Sequence, residues 1–350
     1  MVREIYAYEE GAWDITPNAA LDSEQTLVIV FGASEKKKIE EGLKELFLLF
    51  PRAIKIGCST AGEIYQEELH EESLSVAVMR FDTTPIKVST VEVRDAEASA
   101  EAGRKLAREL AAEDLSSDVS VTGGLAGDGT RFEKTWILCG EEIRERRVVG
   151  VGFYGDHIHV LHASKGGWNK FGIDRIVTRS KANILYELDG RPALELYKTY
   201  LGEYAADLPS SGLLFPLVLK EEGEEKVRTI LGVDEEAQSI TFAGDIPQGA
   251  TVALMRANLE NLIEGASEAA ESIAKNPFGD RQVLVVAISC VGRKLVLGQR
   301  TEDEIESILE ILDGNMRQIG FYSYGEISPL SSGKCDLHNQ TMTLTLWWES

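Results

Sequence analysis

Two glutamates stand in the same eight-residue setting at opposite ends of the chain. One is in Gly57-Cys58-Ser59-Thr60-Ala61-Gly62-Glu63-Ile64 and the other in Gly320-Phe321-Tyr322-Ser323-Tyr324-Gly325-Glu326-Ile327. Both fit G-x-x-[S/T]-x-G-E-I. A carboxylate set among hydroxyls can hydrogen-bond a small polar ligand, and two such loops can build one shared pocket. The same groups can also cap a helix or pair with a buried arginine. Gly62 and Gly325 supply a backbone angle or a close approach that a Cβ would block.

Three further clusters could carry chemistry. Gly123-Gly124-Leu125-Ala126-Gly127-Asp128-Gly129 lacks the order of a dinucleotide fingerprint and the lysine of a P-loop. Its amides can cradle an anion, or it can be a plain tight turn. Ser289-Cys290-Val291-Gly292-Arg293 offers a planar guanidinium suited to a carboxylate. That carboxylate would belong to a ligand or to an inter-lobe salt bridge, Glu63 being one option. In His157-Ile158-His159-Val160-Leu161-His162, strand geometry puts 157 and 159 on one face. The pair suits a metal or haem iron, or simply two surface imidazoles. Cys58 and Cys290 are nucleophiles only where a base lowers their pKa, and none is apparent nearby in sequence.

Each loop has the same prelude. Apolar runs at 27–31 and 283–289 read as buried strands, 36–50 and 302–312 as amphipathic helices, and 53–57 and 316–322 as second strands. Closely spaced strands between 135 and 178 point to antiparallel hairpins. The expected fold is α+β (mixed α/β), with two pseudo-symmetric lobes of mostly antiparallel mixed sheets flanked by helices. The expected domains are 25–207 and 208–348, divided where the pattern lapses around Pro209.

The formal charge of −22 comes from 58 acidic and 36 basic residues, so nucleic acid and anionic membrane are poor partners. Acidic helix faces at 95–114 and 301–310 read as solvated surface. Cys58, Cys139, Cys290 and Cys335 are widely spaced with no C-x-x-C, which suggests neither a zinc site nor a disulfide framework and fits a reducing compartment. The first residues do not read as a signal peptide, and no run approaches the roughly 20 apolar residues of a membrane span. The expectation is a soluble, cytoplasmic protein.

With these residues in view, the chain resembles the FIST-domain family. The resemblance rests on GCSTAGEI at 57–64, GGLAGDG at 123–129, GGW at 166–168, VTRS at 177–180 and YELDGRPALELY at 186–197. It continues in ISCVGR at 288–293, IGFYSYGEI at 319–327 and LHNQT at 337–341. It implies a FIST N-type and a FIST C-type domain in a cytoplasmic sensory protein that binds an amino acid or related metabolite between its lobes. Output would pass to a separate signalling protein, such as a histidine kinase.

The candidate ligand-binding residues are Cys58, Ser59, Thr60, Gly62 and Glu63 from the first loop, and Gly124 and Asp128 from the glycine-rich one. Trp168, Cys290, Arg293, Ser323, Tyr324, Glu326 and Asn339 complete them. Glu63 would take an α-ammonium and Arg293 an α-carboxylate. No cofactor is expected on this reading. A subgroup of the family is associated with haem and nitric oxide sensing, for which His159 and His338 are the ligand candidates. A cysteine-dependent enzyme is the third alternative.

Overall fold

A strand with no polar alternation must be covered on both faces. Thr26–Gly32 and Val283–Cys290 meet that condition, with every residue of both buried. They lie at the centres of two sheets in the computed structural model, which describes residues 1–95, 97–111, 119–221, 223–276, 278–312, 316–330 and 332–350.

The first sheet runs Glu142–Arg144, Ile137–Cys139, Ile54–Ser59, Thr26–Gly32, Leu74–Arg80, Val2–Glu9, Ala12–Trp13. The second runs Ile158–Lys165, Met342–Glu349, Val283–Cys290, Met316–Ser323, Glu63–Tyr65, Glu68–His70. Four consecutive strands of each sheet correspond. In each, the central strand pairs in parallel with the strand leading to a Gly-Glu-Ile bend. On its other side lies an antiparallel strand that follows the bend, and beyond that a further antiparallel one.

The two sheets pack face to face. Leu27, Ile29, Phe31 and Met79 meet Leu284, Val286, Ile319 and Phe321, with the Phe31 and Phe321 rings 4.6 Å apart. Outside the first sheet, helix Lys36–Leu49 presents Ile39, Leu43 and Leu46 to Val28, Val30, Val76 and Val78. Outside the second, helices Leu259–Ala274 and Thr301–Ile311 cover Val283, Val285 and Leu344. The centre is thus helix, sheet, sheet, helix, and the whole is mixed α+β with two pseudo-symmetric lobes.

A third sheet of nine strands curls as a half-barrel around helix Ala193–Leu201. Its strands come from both sides of residue 208: Arg175–Lys181 and Ile184–Leu188 before it, Leu217–Glu221 and Thr251–Arg256 after it.

The first glycine of each eight-residue pattern sets the spacing of the parallel pair. Gly57 lies opposite Val30 and Gly320 opposite Ala287. A Cβ at Gly57 would fall 2.1 Å from the Val30 carbonyl oxygen, and one at Gly320 would fall 1.8 Å from that of Ala287. These neighbours are backbone and cannot turn aside. Gly320→Ala should cost about 3 kcal/mol or more in a urea unfolding experiment. A loss below about 1 kcal/mol would show that the strands can separate freely there.

Candidate functional site

The two bends close in the same way. The Thr60 hydroxyl accepts the Gly62 N–H at 3.0 Å and donates to Glu63 Oε1. Glu63 Oε2 takes the Ser73 N–H at 3.1 Å and the Ser73 hydroxyl at 2.7 Å. In the second bend the Ser323 hydroxyl accepts the Gly325 N–H at 3.3 Å and donates to Glu326 Oε1 at 2.7 Å. Glu326 Oε2 takes the Thr341 N–H at 3.1 Å and the Thr341 hydroxyl at 3.0 Å. Ser73 and Thr341 each stand just before the antiparallel strand that flanks the central one. Each glutamate therefore latches the start of that strand to its bend.

Both carboxyls are buried, 1% and 0% exposed. The cations that act on them are paired elsewhere: Lys294 with Glu71, Arg293 with Glu304. Burial pushes each carboxyl up to about 7, and the hydroxyl and amide donors pull it only part of the way back.

The glycine-rich segment threads between the bends. Gly127 N–H donates to the Ser59 carbonyl at 2.9 Å and Leu125 N–H to that of Gly325 at 2.8 Å. Tyr324 N–H returns to the Leu125 carbonyl at 3.2 Å. A Cβ at Gly127 would come 2.8 Å from the Ala61 N of the first bend, and one at Gly124 would come 2.8 Å from the Ile288 side chain on the central strand. Its amides at Leu125, Gly127 and Asp128 are spent on protein groups, the last on the Tyr324 hydroxyl at 3.1 Å, and its own anion, Asp128, is held by the turn that follows. That carboxylate accepts the N–H groups of Phe132, Glu133 and Lys134 at 2.9, 2.9 and 2.8 Å, and the Tyr324 hydroxyl. Burial would raise its pKa, but these donors prevail and hold it below the usual range. The bends also bond each other: Ala61 N–H to the Tyr322 carbonyl and Tyr322 N–H to that of Gly62, both at 2.9 Å. The result is a buried polar seam where the two lobes meet.

Arg293 is also buried, and its partner is Glu304. Nε lies 3.0 Å and Nη2 2.7 Å from Glu304 Oε2. Nη1 donates to the Gly166 carbonyl at 2.6 Å, and Nη2 to that of Leu262 at 2.7 Å. Glu304 also receives the hydroxyls of Ser289 and Tyr322 at 3.0 and 2.7 Å. Glu304 lies within the acidic helix face read as solvated, yet it is fully buried. The helix turns it inward beside Ile305 and Ile308, where a guanidinium and two hydroxyls satisfy it.

Ser59 is occupied by the first sheet, its hydroxyl accepting the Trp136 N–H at 2.9 Å. Trp168 donates its indole N–H to the Gln340 carbonyl at 2.8 Å. Burial raises the Cys58 thiol to about 12 and raises that of Cys290 as well, the reverse of activation. His338 is buried with Nε2 3.0 Å from the Ser328 carbonyl oxygen, a bond that haem ligation would have to break. His159 stacks on Trp348 at 5.2 Å, on the outermost strand of the second sheet. Among the described residues, no group of three or more His, Cys, Asp or Glu could hold a metal ion.

Comparison with known proteins agrees with the pattern of the bends. The FIST N domain model matches residues 26–191 and the FIST C domain model matches 193–329. The chain belongs to the FIST family. FIST domains are sensory domains of signal-transduction proteins. The similar curated proteins are themselves uncharacterized. One from Mycobacterium tuberculosis is 27% identical over 65% of this chain and 61% of its own length. One from Methanocaldococcus jannaschii is 24% identical over 59% of this chain and 45% of its own. The chain thus spans 61% and 45% of these relatives' own length, in both cases less than two thirds.

In FIST terms, the first bend lies in the N match and the second in the C match, so the seam is where the two domains touch. Ser73, Glu304, Tyr322, Gln340 and Thr341 are seam residues absent from the sequence-based candidates.

Two outcomes follow from this geometry. Both glutamates titrate higher in the folded chain than the usual 4.5, near 7. Between those values the folded state holds more protons than the unfolded one. Their contribution to stability is therefore full below about pH 4.5, falls as pH rises through 7, and then levels off. The slope is roughly 1.4 kcal/mol per pH unit per group. A Glu63→Gln, Glu326→Gln double variant should lose this fall in urea titrations from pH 5 to 8; an unchanged slope would place the proton elsewhere. Arg293→Met alone should cost about 3–5 kcal/mol by stranding Glu304, and Glu304→Leu added to it should recover much of that.

Proposed function

We propose that this FIST protein is a cytoplasmic sensor that binds a small polar metabolite, of the amino-acid class, at the seam between its domains. The observation that carries the reading is the composition of the seam. Ser59, Thr60, Glu63, Asp128, Ser323 and Glu326 are all buried where the two lobes meet. An interior of that kind gives up apolar packing for directed hydrogen bonds, and small-molecule sites favour domain interfaces where a few polar groups converge. The loops holding them come from both domains, so a ligand that favours one arrangement of the bends would shift the relation between the domains.

On this reading output passes in trans to a signalling protein such as a histidine kinase. The cytoplasmic setting is supported by four unpaired cysteines. It is also consistent with the lack of any helix, among the described residues, long and apolar enough to cross a membrane.

The pairing of ligand groups differs from the simplest amino-acid scheme. Arg293 is neutralised by Glu304, so a bound carboxylate would be met by seam amides and hydroxyls. Thermal unfolding of the full chain across the common amino acids tests the proposal. A ligand at about 100 times its Kd adds roughly 2.7 kcal/mol, which raises the melting temperature by about 3 °C for a chain of this size. A melt unmoved by every member at millimolar concentration would remove the amino-acid reading.

A further inference from the structure

Gln340 sits at the edge of the seam with a side chain that no protein group satisfies. It is fully buried, and among the described residues neither Nε2 nor Oε1 has a hydrogen-bond partner. The neighbouring Asn339 is 1% exposed with Oδ1 likewise unpartnered, while its Nδ2 donates to the His338 carbonyl at 3.0 Å. Buried amide groups are nearly always paired, so this unmet capacity asks for an explanation. The backbone departs from the ordinary at the same place. Gln340 has φ +62°, in the left-handed region that a side chain adopts at a cost.

The fold nevertheless holds this residue firmly. Its carbonyl accepts the Trp168 indole N–H at 2.8 Å and Arg293 Nη1 at 3.4 Å. Its carboxamide lies so close to Gly292 that a Cβ there would come within 2.5 Å of Nε2. A strained backbone, a glycine that makes room and an amide with nothing to bond together describe a recognition group without its counterpart.

We propose that Gln340, supported by Asn339, reads the ligand at the seam, and that it takes a neutral amide-type group with a donor and an acceptor side by side. This rests on the seam being the ligand site, as argued above. A carboxamide offers one donor group and one acceptor, so a second amide completes two hydrogen bonds in opposite senses. The nearby cations are already matched, Arg293 with Glu304 and Lys294 with Glu71. An anionic head group would be buried without a counter-ion, which is far costlier than burying a paired amide. Trp168 reports occupancy. Its indole bonds the Gln340 carbonyl while its ring packs on Val218, Ala253 and Met255 of the half-barrel.

The experiment uses the full chain with four matched pairs: L-glutamine and L-glutamate, L-asparagine and L-aspartate, nicotinamide and nicotinate, acetamide and acetate. Calorimetry measures binding and tryptophan emission reports Trp168, with Trp168→Phe as the control. In at least one pair the amide should bind about tenfold or more tightly than its carboxylate. Gln340→Met, matched in shape but apolar, should lose that preference and melt no lower than the parent. The proposal is overturned if carboxylates bind as well as amides, or if Gln340→Met binds the amide unchanged. It is overturned equally if that variant melts several degrees lower, because the carboxamide would then hold the fold together. Ligand binding that survives Gln340→Met removes this inference and leaves the seam reading standing; a wild-type chain that binds none of the eight compounds and none of the common amino acids removes both.

Discussion

The centre of this molecule depends on how closely two parallel strands approach at Gly57 and again at Gly320. In both places a backbone carbonyl occupies the space a Cβ would need. Having passed that point, the chain must leave the sheet within a few residues without losing its hydrogen bonds. The hydroxyl three positions on takes a glycine N–H and hands its own proton to the glutamate. The glutamate's other oxygen then captures the residue that opens the next antiparallel strand. One buried carboxylate thus closes a three-strand unit. Three hydrogen bonds to one carboxyl in a dry interior make the latch stiff. The opposing cost is desolvation, and it appears as the raised pKa of both groups.

Much of this was legible in the sequence, for identifiable reasons. The apolar runs read as strands because both faces of Thr26–Gly32 and Val283–Cys290 are covered. Glu63 and Glu326 stood out because their bends share a pattern. Gly62 has the positive φ, +139°, that its place suggested. Gly325 has no such angle, and a Cβ there would crowd only the movable ends of the Leu337 and Leu125 side chains. The latch partners were not legible. Ser73 lies 10 residues past its glutamate and Thr341 lies 15 past, so the spacing does not repeat. Glu304 left a weaker trace, as an acidic residue on the buried stripe of its helix. In a sequence rich in glutamate that signal is easily taken for solvated surface. Gln340 left none, because an amide with no partner is defined by what surrounds it in space.

The two latches stiffen the sheets, but Arg293 connects them to the remainder of the molecule. Its guanidinium joins Glu304, the Leu262 carbonyl in the first turn of the long helix, and the carbonyls of Gly166 and Gln340. Those four attachments belong to two helices, the strap 166–168 and the 337–341 segment. The strap is wedged on the long helix, where a Cβ at Gly167 would fall 1.8 Å from the Asn261 carbonyl oxygen. Beyond it, Trp168 enters the small cluster of Val218, Ala253 and Met255 in the half-barrel. A shift at Gln340 therefore cannot be absorbed locally. It must break the guanidinium's bonds or carry the strap with it, and the strap carries the indole. Packed interiors resist graded deformation and favour a change between discrete arrangements. The chain of bonded groups from Gln340 through Trp168 links the seam to the half-barrel, and it is the route by which the proposed ligand would act beyond its own site.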